Sequence, residues 1–165
     1  MEDTFLKLVE DKKLHYGKNL RELIPLITRV QGKVNLDDTK VFGKHIHAFS
    51  WAFFTGYFYE RTEIPEKWEH TDTFSIGTFL RDGAEDVAYT MLMIGLNETK
   101  INDIEKDLTS QNGIREILNN ISKFAEGGAK YILEKREGDD PVSKTYLNNI
   151  EHFFDEIHQR LAQKE

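Results

Sequence analysis

The sequence predicts a mostly α, single-domain bundle of six or seven helices over residues 1–165, with room for one short strand or hairpin near residues 73–80. Three observations lead there. A chain of 165 residues is long enough for one core and short for two. Hydrophobic residues at 39% against charged ones at 31%, with only three prolines, suit a folded, helix-rich chain rather than a disordered one. Apolar residues also recur at spacings of three and four along most of the chain, the period of a helix with one buried face.

Taken in order, Phe5, Leu8 and Val9 give a first short apolar stripe, with His15 to Gly17 as the expected stop. Leu20, Leu23, Ile24, Ile27 and Val30 form a second, in a helix expected to kink at Pro25 and end near Gly32. The capping residues of NLDDT, Asn35 to Thr39, precede a third helix expected from about Asp38 to Tyr59. The polar, aperiodic stretch RTEIPEKWEHTDT reads as a surface loop. TFSIGTFLR, Thr73 to Arg81, alternates around Phe74, Ile76 and Thr78 and reads as a short strand or an extended linker. Asp82 followed by Glu85 has the spacing of a capping box, opening a helix with Val87, Ala88, Met91, Leu92 and Gly95 on one face. Ile101, Ile104 and Leu108 suggest a short amphipathic helix before the turn signal SQNG. Ile114, Ile117, Ile121, Phe124, Gly128 and Ile132 then give the cleanest helical period in the chain. Asp140 and Pro141 start a last helix, 141–163, striped by Val142, Tyr146, Ile150, Phe153, Phe154, Ile157 and Leu161.

Composition narrows the function classes. The chain carries 22 basic and 29 acidic residues, a net charge of -7, which opposes approach to a phosphate backbone. Without cysteine there are no disulfides, thiolate metal sites or cysteine nucleophiles, and a reducing compartment such as the cytoplasm is expected. The amino terminus MEDTFLKLVEDKK lacks the basic and apolar regions of a signal peptide, and no stretch has the length of a membrane span. No membrane association is expected.

Seven of the eleven residues from Phe49 to Tyr59 are aromatic. On a helix these rings point to every side, as on a central helix covered all round, and a side left uncovered would mark an interface. Trp51, Tyr57, Tyr59 and Arg61 are therefore candidate partner-binding residues. Gly127 and Gly128 join them, because two glycines inside a helix cost about 1 kcal/mol each relative to alanine and imply a close approach. That approach is either to another helix, with the aromatic helix over the gap, or to a partner. His45 and His47, two apart, point about 200° apart on a helix and cannot close on one ion. Acid-x-Lys tripeptides at Glu10 to Lys12, Asp11 to Lys13, Asp38 to Lys40 and Glu98 to Lys100 are no more than the abundance of acids and lysines supplies by chance. No phosphate loop, dinucleotide fingerprint, nucleophile elbow or zinc-protease motif occurs, so no catalytic residue, metal or cofactor is assigned.

The order of KHIHAFSWAFFTGYFYER, TFSIGTFL, DGAEDVAYTMLMIGLNE and ISKFAEGGAKYILEK resembles the DNA phosphorothioation-associated protein 4 family, small accessory proteins of bacterial DNA sulfur-modification systems. The resemblance runs over about residues 41–134 and is most specific from Phe124 to Leu133. It implies a cytoplasmic role beside a DNA-modification or restriction complex and supplies no catalytic residues. The C-terminal helix and the acidic balance depart from the family pattern and favour docking onto a protein. The expected function is thus a noncatalytic helical adaptor that binds a protein partner, such as a DNA-modification or restriction subunit, with homo-oligomerisation left open. Two alternatives are weaker: a nucleic-acid-binding module with Lys44, Arg61, Lys67 and Arg81 in one aromatic-lined groove, and a hydrolase using Glu66, Glu69 and His70.

Overall fold

Buried apolar stripes at helical spacing are satisfied by packing helices on one another, and that is the architecture of the computed structural model, which describes residues 2–28, 42–68, 73–99 and 110–137 together with Gln159. Six helices occur among the described residues: α1 (Glu2–Val9), α2 (Lys18–Ile27), α3 (His45–Phe58), α4 (Ile76–Arg81), α5 (Glu85–Asn97) and α6 (Gln111–Glu137). The expected helices around residues 101–108 and 141–163 lie outside the described residues.

The spine is α6, 27 residues and so about 40 Å long, against which α3, α2 and α5 all pack. All six residues of its predicted stripe, Ile114 through Ile132, are buried. Leu118, Ala125, Ala129 and Leu133 widen that face, and from Asn120 to Ala129 only Lys123 escapes burial. Ser110 opens the helix, its Oγ accepting the Gly113 N–H at 3.0 Å. Lys135 and Arg136 in the last turn suit the negative end of the helix dipole.

α3 is the central helix that its aromatic content predicts. Phe49, Phe53, Ala48, Ala52 and Thr55 are fully buried, and Trp51 and Ile46 nearly so. Its rings split into two clusters. Toward its start, Phe49 meets Phe74 edge-on at 5.2 Å and Tyr16 at 6.0 Å, with Phe79 behind them. Toward its end, Phe53 and Tyr57 both pack edge-on against Phe124 of α6. The helix starts at His45 rather than Asp38, because Phe42 pairs with Thr28 and Gly43 and Lys44 are bent; residues 38–41 lie outside the described residues.

Three further expectations are corrected. Residues 73–80 form no strand. Ser75 makes a single antiparallel pairing with Lys13, after which Ile76 and Phe79, spaced three apart, bury one face of the short helix α4. The Asp82–Glu85 capping box does not form either. Asp82 ends α4 and gives its carboxylate to Lys44 at 3.0 Å, Gly83 turns with φ +72°, and α5 begins at Glu85 without a side-chain cap. The first helix ends at Val9, before His15 to Gly17, because the following turn is bound to α4 and to the residues just before it: Gly77 N–H donates to Glu10 O and Leu14 N–H to Phe74 O. The stripe of α5 stands, with Ala88, Met91, Leu92 and Gly95 buried.

Candidate partner-binding surface

The geometry around Gly127 and Gly128 organises everything near it. A Cβ on Gly128 would lie 1.8 Å from the Ala52 carbonyl oxygen, and one on Gly56 would lie 1.9 Å from the Phe124 carbonyl oxygen. Ala52 and Gly56 of α3 and Phe124 and Gly128 of α6, each pair four apart, thus let the two backbones touch. Gly127 faces another way, and a Cβ there would lie 2.3 Å from the Arg61 carbonyl oxygen. The close approach that the glycine pair requires is therefore made inside the molecule, to α3 and to the segment that follows it.

That segment is set by the way α3 ends. Glu60 adopts φ 53°, and the Arg61 N–H returns to the Gly56 carbonyl at 2.7 Å, closing the helix with a left-handed residue. The chain then runs across α6, where the Glu63 N–H donates to the Lys123 carbonyl at 3.1 Å. This path brings candidate residues together with others that the sequence does not single out. Tyr59 stacks on Tyr131 with ring centroids 4.6 Å apart. The Arg61 guanidinium lies 5.8 Å and the Lys135 ammonium 5.5 Å from the same ring centre. Contacts of this kind contribute about 0.5–1 kcal/mol each at exposed sites and hold the cations over the ring. Lys130 pairs with Glu63 at 3.0 Å, so its charge is already met. Ile64, on the same segment, is 69% exposed. The result is a half-buried tyrosine under two cations with an exposed aliphatic side chain on the adjoining segment, a surface chemically suited to carboxylates and apolar groups of a partner.

Of the candidate residues, Tyr59, Arg61 and Gly127 meet here, with Tyr57 half-buried one turn away against Phe124. Gly128 lies beneath, in the helix crossing. Trp51 does not join them; it is 8% exposed and packs near the start of α3 against Phe42. Neither the apolar stripe nor the glycine pair of FAEGGAKYILEK singles out Tyr131 and Lys135, although their four-residue spacing places them on one helix face.

One buried charge has the look of a catalytic group and a different explanation. Glu126 is fully buried in the middle of α6, and its carboxylate accepts the N–H groups of Gly17 at 3.1 Å, Asn19 at 2.6 Å and Leu20 at 3.1 Å. These are amides at the start of α2, whose own cap position is a glycine. Glu126 therefore caps α2 from another helix, and Gly17 leaves it room, since a Cβ there would lie 2.5 Å from the carboxylate and push it off these amides. Burial holds the Glu126 carboxyl above its ordinary value, and the three amides pull the other way.

The four cations of the alternative groove do not gather into one. Lys44 precedes the first turn of α3, and its pairing with Asp82 sets it beside the end of α4, where Arg81 stands, while Arg61 lies just beyond the last turn of α3, about 25 Å along the axis from Lys44. Glu66 is exposed, and Glu69 and His70 lie outside the described residues. Among the described residues no group of three His, Asp or Glu side chains gathers in a way that could hold a metal ion, and no helix is long and apolar enough to cross a membrane. Comparison of the chain with family models, with curated proteins and with solved structures gives no match.

Proposed function

We propose that this chain is a noncatalytic helical adaptor that docks an acidic face of a protein partner where the end of α3 crosses α6. The observation that carries this reading is the cluster of Arg61 and Lys135 over Tyr131, in a chain whose net charge is -7. Positive charge held over an aromatic ring, with an exposed isoleucine on the adjoining segment, is the composition of a contact centre rather than of an average acidic surface. The setting we propose is the one that the resemblance implies, a bacterial DNA-modification or phage-defence complex, with a modification or restriction subunit as partner.

The test is affinity capture of the tagged full chain from its own host, with and without nuclease, in parallel with the Arg61→Glu/Lys135→Glu variant. A modification or restriction subunit recovered in stoichiometric amount after nuclease treatment, and lost with the charge reversal, is the expected result. Recovery of the chain alone, or only with nucleic acid that nuclease removes, would overturn the proposal.

A further inference from the structure

A second basic feature lies at the other end of α6. Lys12, Lys13 and His15, on the turn after α1, face Arg115 across a cleft of about 200 Å³. Gln111, Arg115 and Asn119 are spaced four apart, so one face of the first turns of α6 presents two amides and a guanidinium to it. The floor is apolar, formed by Ile114 and Leu118, which are 3% and 5% exposed. Among the described residues no carboxylate lines this cleft. Among the described residues Lys12, Lys13 and Arg115 form no ion pair, whereas Lys44 and Lys130 each have one.

The backbone that presents these groups is tied down. Lys12 donates its N–H to Val9 and receives that of Ile76, Leu14 between the cations is fully buried, and the His15 N–H donates to Ser122 Oγ at 3.1 Å. Three positive charges gathered on such a backbone, with no ion pair among the described residues, repel one another and raise the local potential, which an anion relieves. The positive end of the α6 dipole adds to the same potential.

From this we infer that the cleft binds a dianionic phosphate group, either inorganic phosphate or the phosphate end of a small phosphomonoester. Arg115 supplies a planar fork that matches two phosphate oxygens, Lys12 and Lys13 act as point charges, and Gln111 and Asn119 donate to the remaining oxygens. A volume of 200 Å³ is that of about seven waters, room for a phosphate with a few further atoms and too little to enclose a nucleotide. Arg115 and Tyr131 are about 24 Å apart along α6, so this site is separate from the partner surface and stands or falls without it.

The experiment is a titration of the full chain, followed by amide NMR at constant ionic strength, with inorganic phosphate and with glycerol 3-phosphate as probes. Saturable shifts confined to residues 12–15 and 111–119 are expected, with affinity falling about tenfold in Arg115→Gln and again in Lys13→Gln, since one charge-assisted contact is lost in each. Lys18→Gln, an exposed lysine outside the cleft, should leave the affinity unchanged. Tighter binding of glycerol 3-phosphate than of phosphate would identify a phosphomonoester as the ligand, and the reverse would identify the free ion. A response that tracks ionic strength without saturating, or equal affinity in wild type and Arg115→Gln, would overturn the site.

Discussion

Replacing Gly128 with alanine sets two physical effects against each other, and their sum has a definite sign. Helix propensity alone favours alanine in a helix interior by about 1 kcal/mol. The crossing opposes it. The added Cβ would lie 1.8 Å from the Ala52 carbonyl oxygen and 2.5 Å from the Gly56 nitrogen, both rigid backbone atoms of the facing helix. Reaching even 3.0 Å requires α3 and α6 to separate by more than 1 Å, and a gap of that size forfeits up to about half the dispersion energy of each contact across it. Phe53 and Phe124, packed edge-on across this seam, would loosen together with Ala52 and Gly56. We expect a net loss of about 2–4 kcal/mol, hence a Tm lower by roughly 5–15 °C in a domain of this size. Denaturant and thermal unfolding by circular dichroism measure it, with Gly43→Ala as control because a Cβ there meets nothing within 4 Å. A Gly128→Ala protein as stable as wild type, or more stable, would refute the backbone-to-backbone crossing.

Glu126→Gln should destabilise the protein by about 1–3 kcal/mol, because the amide nitrogen has no lone pair for one of the three N–H donors now satisfied. The pH dependence carries a sign. A carboxyl raised above its ordinary 4.5 binds its proton more tightly in the folded state, so wild-type stability is greatest below that pH and falls as pH rises through the raised value. Glutamine does not titrate there, so the gap between wild type and variant should narrow with rising pH in chemical unfolding, and a widening gap would mean that the three amides outweigh burial. Phe53→Ala and Trp51→Ala should each cost about 3–5 kcal/mol by the same assay, since both rings are buried; a much smaller loss at Trp51 in a folded protein would make that ring a contact instead.

Much of the helical layout is legible in the residues themselves. The stripe from Ile114 to Ile132 has a period that only a helix can bury on one face, and all of it is buried. Aromatics on every side of α3 point to a helix covered all round, and a glycine pair in a helix points to a backbone close by. Local pattern fails where several structures satisfy it. Phe74, Ile76 and Thr78 alternate like a strand, but Ile76 and Phe79 also share a helical face, and the packing of Phe79 against Phe49 and Phe74 selects the helix. Asp82 and Glu85 have capping-box spacing, yet the first carboxylate is drawn to Lys44, almost forty residues earlier.

What the chain by itself determined is periodicity, since whether a stripe exists depends only on spacing along one element. Which residues meet between elements depends on contacts distant in sequence, which no local spacing encodes. Glu126 reads as a routine helix acid until its carboxylate is found on amides more than a hundred residues away. Tyr131 and Lys135 become a surface only because Glu60 turns the chain and the bare backbone of Gly127 lets Arg61 cross above it. The cleft of Lys12, Lys13 and Arg115 likewise exists only once residues a hundred positions apart stand on its two sides. Tertiary packing decided all three, because a charge or a ring acquires its chemistry from what it is folded against.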